Sequence, residues 1–276
     1  MRYLVVLLLA LTFSCNNKEL KIGDQNITVH RNITYGTEEV HKFDIYFPQQ
    51  ISSASKTFIF VHGGGWRSGE KESMTAFMLQ MMESFPNDAF LTMDYTLADE
   101  NNFGLPQQTD DIQQLIGFLQ ENSEKYAVPT RYVLVGYSAG GHLASLYAFR
   151  YRNPQVEAVV NIAGPIDLTD SNFRYYPDID FVENKLVNPE AVKLDTMSKA
   201  EFVSPVYWMK DSEVKLISFF GSHDEVIPLS QKSILDDLIS ESTLNGESHE
   251  YSGDHHNWQQ HPHQSEILAK IRSFLK

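Results

Sequence analysis

A mostly parallel β-sheet covered by helices on both faces is the fold class this sequence predicts, and three observations predict it. Short runs of β-branched and aromatic residues alternate with longer segments of helical spacing, which is the pattern a parallel sheet with crossover helices produces. The 276 residues, 42% of them apolar, suffice for one large α/β unit with a sizeable core. The pentapeptide Gly136-Tyr137-Ser138-Ala139-Gly140 lies between the apolar run Arg131 to Val135 and an alanine-rich segment, where a sharp strand-to-helix turn belongs.

The chain opens with Met1-Arg2 and the apolar run Tyr3 to Phe13, the layout of a secretory signal and too short to span a bilayer as a helix. Leu11-Thr12-Phe13-Ser14-Cys15 resembles a bacterial lipobox, although Thr12 and Phe13 depart from its commonest form. Cys15 is the single cysteine of the chain and stands directly before polar Asn16-Asn17-Lys18-Glu19. The expectation is an exported protein of the bacterial periplasm, outer membrane or cell surface, anchored by lipid on Cys15. Residues 1–15 are read as signal peptide, 16–25 as a tether and 26–276 as the folded domain. A net charge of −14 repels nucleic acid and anionic membrane surfaces, so neither is an expected partner.

Asn26 to Thr34 and Val40 to Phe47 alternate polar and apolar residues around Gly36, as two antiparallel strands would. Thr57 to Val61 is a continuous apolar and β-branched run, hence a buried strand. Further strands follow at Phe90 to Asp94, Arg131 to Val135, Glu157 to Ile162, Lys215 to Phe220 and Gly246 to Tyr251, which makes an eight-stranded sheet. Helices are expected at about 70–85, 106–122, 139–151, 229–243 and 262–275. The stretch 167–213 is long, irregular and rich in aromatics such as Phe173, Tyr176 and Trp208, so it reads as a cap insert over a site.

The chemistry centres on Ser138. A serine on a strand-to-helix turn is held in a strained backbone conformation, and only glycine at 136 and 140 admits the close neighbours that the turn brings together. Its exposed hydroxyl and the free N–H groups of the following helix suit acyl transfer. A second glycine-rich segment, His62-Gly63-Gly64-Gly65-Trp66, directly follows the strand ending at Val61.

Together these segments resemble the α/β-hydrolase fold, in particular its HGGG-motif carboxylesterases, which include hormone-sensitive-lipase-like esterases and arylformamidases. The resemblance runs from about residue 25 to the end of the chain. It implies an acid after the seventh strand and a histidine after the eighth. Phe220-Gly221-Ser222-His223-Asp224-Glu225-Val226-Ile227-Pro228 resembles the family's G-x-x-D-x-x-V/I-P segment and points to Asp224, with Asp167 after the sixth strand as the alternative. The usual ending Y-x-G-x-x-H-x-aromatic falls on His256 and Trp258, and a different gap would choose His255. A serine nucleophile needs such a base, and the base needs a carboxylate that holds its tautomer.

The oxyanion formed on attack needs backbone donors, and Gly64, Gly65 and Ala139 are the candidates. His62, Trp66 and His142 are read as supporting residues, as is Asp94-Tyr95-Thr96-Leu97-Ala98, in which Thr96 replaces the family's arginine. Ser204-Pro205-Val206 matches the segment that ends the family's cap. The cluster His255, His256, His261 and His263 lacks Cys or carboxylate partners at ligand spacing, so no metal is expected, and the glycine loop lacks the Gly-Lys-Ser/Thr end of a phosphate cradle.

The resemblance thus implies a serine esterase that needs no cofactor and acts on a small-molecule or carbohydrate ester, acetylated or feruloylated polysaccharide being the first guess by analogy. Two rivals stand beside it. One is an arylformamidase-like amide hydrolase, suggested by H-G-G-x-W and the following Ser68-Gly69-Glu70-Lys71. The other is a surface binding protein on a catalytically silent scaffold, against which the intact Ser, Asp, His and glycine elements weigh.

Overall fold

The structure is a computed structural model and describes residues 18–22, 25–126 and 128–276. Cys15 and the signal segment lie outside the described residues. The strands are β1 (Lys18–Ile22), β2 (Gln25–Thr34), β3 (Lys42–Pro48), β4 (Thr57–Val61), β5 (Ala89–Met93), β6 (Tyr132–Tyr137), β7 (Val156–Ile162), β8 (Lys215–Gly221) and β9 (Gly246–Tyr251). Between and after them run α1 (Thr75–Ser84), α2 (Gln107–Glu121), α3 (Ser123–Tyr126), α4 (Ala139–Tyr151), α5 (Ile179–Asn184), α6 (Lys199–Val203), α7 (Val206–Met209), α8 (Ser230–Glu241) and α9 (His263–Leu275).

The strands form one sheet in the order β1-β2-β3-β5-β4-β6-β7-β8-β9. From β5 to β9 neighbouring strands are parallel, while β1, β2 and β3 pair antiparallel and β3 joins β5 antiparallel. Central β4 and β5 are buried at every residue, because helices cover both faces. On one face α2 and α4 contribute Ile112, Leu115, Leu143 and Leu146. On the other, α1 and α9 contribute Phe77, Met81, Ile267 and Ile271.

The eight expected strands are present as β2 to β9, with ends shifted by a few residues at most. The sheet has a ninth strand that corrects the reading of 16–25 as tether: Lys18–Ile22 pairs with β2 from Lys18↔Val29 to Ile22↔Gln25. Its charged Lys-Glu-Leu-Lys-Ile sequence carries little apolar signal, because an edge strand needs only one partner and one covered face.

The cap insert follows β7 and contains α5, α6 and α7, all too short to show helical periodicity in sequence. It leaves and re-enters the body at a single neck. There the N–H of Val206 donates to the Ile166 carbonyl at 3.0 Å, and the N–H of Leu168 donates to Ser204 Oγ at 2.7 Å.

Candidate active site

Chain direction across the sheet reverses around β4, which has β5 on one side and β6 on the other, and the crevice beyond the carboxyl ends of such strands is where ligands bind in open α/β sheets. Ser138 sits there, directly after β6, as the N-cap of α4 with φ 53° and ψ −124°. Non-glycine residues rarely adopt a positive φ, so the surrounding structure must hold it. A Cβ at position 136 would stand 2.2 Å from the Gly140 carbonyl oxygen, and one at 140 would stand 2.1 Å from that of Val61. These two close approaches are the reason the turn requires glycine at both places.

After β8, the Asp224 carboxylate is held by its own turn. Oδ1 accepts the N–H of Val226 and of Ile227, each at 2.8 Å. Oδ2 stands 2.8 Å from His255 Nδ1, and His255 Nε2 stands 2.9 Å from Ser138 Oγ. With Nδ1–H donated to the carboxylate, Nε2 is the acceptor that faces the serine hydroxyl. Both side chains are withdrawn from water, at 6% exposure for His255 and 1% for Asp224.

His256, the expected partner of the serine, is not part of this chain of hydrogen bonds. Its ring is exposed and its Nδ1 lies 3.2 Å from the Tyr137 hydroxyl. The cause is a tight loop after β9. The Asp254 carboxylate accepts the N–H groups of His256 at 2.8 Å and Asn257 at 2.9 Å, and a single 3-10 turn follows over Asn257–Gln259. His255 therefore falls on the side of the serine, and the two imidazoles lie nearly perpendicular, at 85°. Trp258 is buried as its place in the motif suggests, between Phe77 and Tyr137 with ring centroids 4.9 and 5.1 Å away.

Asp167 is occupied elsewhere, accepting from the Thr169 N–H and hydroxyl at 2.8 and 2.6 Å. Among the described residues no three His, Cys, Asp or Glu side chains gather as a metal ion would need.

The glycine loop lies against the elbow: a Cβ on Gly63 would come within 3.1 Å of the Ser138 Cβ. Gly64 and Gly65 have φ of +125° and +58°, and a Cβ on Gly64 would strike the Ser68 carbonyl oxygen at 2.0 Å. Among the described residues nothing accepts a hydrogen bond from the N–H of Gly64 or Gly65. The Ala139 N–H belongs to the first turn of α4, where the helix offers no acceptor.

Three supporting residues fix this loop. His62 stacks on Tyr95 at 4.2 Å, and its Nδ1 donates to the Gly63 carbonyl at 2.7 Å. Buried His142 accepts from Trp66 Nε1 at 3.1 Å and donates through Nε2 to the Val203 carbonyl at 2.7 Å. One imidazole thus joins the glycine loop, the elbow helix and the cap. Burial pushes both histidines down to about 4, so both rings are neutral. Behind the loop, buried Lys71 meets Asp44 and Asp94, each at 3.7 Å, and Glu72. Burial works against its charge, but the hydrogen bond to Glu72 and the nearby carboxylates hold the ammonium above its ordinary value.

The cap reaches the loop through aromatics. Trp66 contacts Tyr176 and Phe181 with centroids 5.8 and 6.4 Å apart, and Arg67 pairs with Asp178 at 2.7 Å. Of the insert's aromatics, Phe173, Phe181 and Phe202 are packed inside, whereas Tyr175 and Tyr207 face solvent. A cavity of about 440 Å³ lies within the cap, bordered by Leu168, Ile179, Val182, Val187 and Val203 but not by Ser138 or His255.

This sheet, with a strained serine at the carboxyl end of a central strand, defines an α/β-hydrolase. More narrowly, the chain belongs to the BD-FAE family, whose profile matches residues 43–239. Esterase LipC of Mycobacterium tuberculosis is 26% identical over 222 residues, covering 74% of this chain and 53% of that protein. A kynurenine formamidase of Salmo salar is 24% identical over 142 residues, covering 50% of this chain and 46% of that one. The chain spans about half the length of the curated relatives it matches. Among solved structures, Esterase B from Lactobacillus rhamnosis superposes with a TM-score of 0.71 at 18% identity, over 93% of this chain and 87% of that one. A truncated carbohydrate esterase from gut microbiota gives 0.66 at 20% identity, over 90% and 96%.

Proposed function

We propose that the protein is a serine esterase that cleaves carboxylic esters through an acyl-enzyme. Ser138 Oγ attacks the ester carbonyl carbon as its proton passes to His255 Nε2, and the carbonyl π pair moves onto oxygen. The oxyanion is received by the N–H groups of Gly64, Gly65 and Ala139. Collapse expels the alcohol, which takes the proton back from His255; water, deprotonated by the same imidazole, then frees the acid. The Asp224 carboxylate balances the imidazolium. The observation that carries this reading is the unbroken chain Ser138–His255–Asp224, at 2.9 and 2.8 Å, set at the carboxyl edge of the sheet.

The test is covalent labelling with a fluorophosphonate together with turnover of p-nitrophenyl acetate, on the native protein and on Ser138→Ala. Native protein labels and turns over and the variant does neither; a native protein inert in both assays ends the proposal.

For substrate, we infer an acylated carbohydrate, acetylated or feruloylated, an inference supported by the neighbour named as a carbohydrate esterase. The resemblance to a kynurenine formamidase supports a second reading, since the same nucleophile and oxyanion site would accept a formamide. Comparing kcat/KM on acetylated xylan, feruloyl esters and N-formylkynurenine decides between them. We further propose export and lipid anchoring through Cys15, on the strength of the apolar run and the cysteine that follows it. Palmitate incorporated by the native protein and absent from Cys15→Ser is the expected result; label retained by the variant refutes it.

A further inference from the structure

Tyr176 brings a hydroxyl from the cap to the edge of the glycine loop. Apart from the glycine's own chain neighbours, its oxygen is the sole heavy atom described within 4 Å of where a Gly65 side chain would begin, at 3.2 Å. The ring stacks on Phe173 at 5.1 Å and 13° and meets Trp66 at 5.8 Å, and the backbone N–H of Tyr176 donates to the Phe173 carbonyl at 2.9 Å. Trp66 is in turn fixed by His142, so ring and loop share one support.

Despite this fixed placement, no partner for the Tyr176 hydroxyl lies within hydrogen-bond reach among the described residues. Nearby Asp178 pairs with Arg67 at 2.7 Å and makes no hydrogen bond to the hydroxyl. The hydroxyl is not sealed in the core but accessible beside the bare backbone of Gly65, where a group from outside the chain can reach it. Burial pushes this phenol up to about 12, so at neutral pH it keeps its proton: it can donate but cannot act as a base.

We propose that the Tyr176 hydroxyl is a cap-borne hydrogen-bond donor to the carbonyl oxygen of the reacting ester, completing the oxyanion site built on Gly64, Gly65 and Ala139. The inference rests on the esterase reading above. When Ser138 attacks and charge develops on that oxygen, the phenol O–H shortens onto it without giving up its proton. The cap thereby takes part in the chemical step in addition to shaping a pocket. A donor that strengthens only as charge develops lowers the barrier and leaves ground-state binding nearly unchanged.

Tyr176→Phe removes the hydroxyl alone and keeps the stack on Phe173 and the contact with Trp66. The expected result on p-nitrophenyl acetate is a fall in kcat of about 10- to 100-fold with KM unchanged, somewhat less than the loss of a backbone-type donor. Fluorophosphonate labelling slows in parallel, because the phosphonyl oxygen occupies the same position, and the thermal midpoint stays at the native value. Native kcat in Tyr176→Phe, or a loss confined to KM, overturns the assignment while Ser138→Ala still reports the esterase. A native protein that neither labels nor turns over instead removes the esterase reading, and this inference with it.

Discussion

Two histidines stand side by side after β9, and a difference of one residue in a turn decides which of them can serve Ser138. His255 is within 2.9 Å of the hydroxyl and His256 faces solvent against Tyr137. His255→Ala should therefore reduce kcat on p-nitrophenyl acetate by at least about 10³-fold, whereas His256→Ala should leave it within about threefold of native. Comparable losses from both substitutions would contradict the geometry. The choice was not legible from the sequence, because both residues are histidines and the gap before them is set by Asp254 side-chain bonds to the N–H groups of 256 and 257. By contrast, Ser138 and Asp224 could be placed from sequence, since each lies in a segment whose glycine or proline spacing forces one local conformation.

A second residue-scale consequence concerns acid. His62 and His142 have ring pKa values lowered to about 4 by burial, against 6.5 in the unfolded chain, so between those values the unfolded state binds more protons. Their contribution to stability is complete above pH 6.5 and is lost as the pH falls toward 4, by on the order of 3 kcal/mol for each ring. For His142 the loss has a visible cause, since a proton on Nδ1 abolishes the acceptor for Trp66 Nε1. Urea midpoints measured from pH 7 down to 4.5 should fall less steeply in His142→Gln than in the native protein. Parallel slopes would show that His142 does not titrate in this window.

Among the elements, the glycine loop is the one whose shape depends most on distant support. Lys71 lies just beyond it and is the buried cation between buried Asp44 on β3, which Arg31 also meets at 3.3 Å, and half-buried Asp94 after β5. Lys71→Met removes that charge and leaves Asp44 with Arg31 alone and Asp94 without its cation, at a cost of about 1–3 kcal/mol, readable as a lower urea midpoint. An unchanged midpoint would mean that the cluster is electrostatically idle. The parallel strands were legible because burial on both faces makes them continuous apolar runs, as in Thr57–Val61. The cap helices were not, because α5, α6 and α7 are four to six residues long and offer less than two turns of periodicity.

At the scale of the whole molecule, the antiparallel end of the sheet and the reactive end are separate. β1 is the outermost strand on one side, and the site is assembled at the ends of β4, β6 and β8 and after β9. Removing residues 1–24 should leave kcat within about twofold of native and expose β2 as an edge with unpaired backbone groups. Light scattering should then report self-association that the full chain does not show. A large loss of kcat on truncation would mean that β1 supports the site after all.

The neck of the cap has a consequence for exchange. Between Ile166 and Val206 the insert is tied at its neck by the Val206 N–H to Ile166 carbonyl bond and the Leu168 N–H to Ser204 Oγ bond, and further along by main-chain bonds of Leu105 with Leu186 and Asn188, while His142 is met through the Val203 carbonyl, a group that every residue possesses. The insert is in that respect a cartridge in a socket: a foreign segment of different length and lining can be seated there if it returns through Ser204-Pro205, presents one carbonyl to His142 and keeps the Tyr176 ring against Trp66. Selectivity could then be rebuilt by transplantation, with Ser138, His255 and Asp224 left untouched.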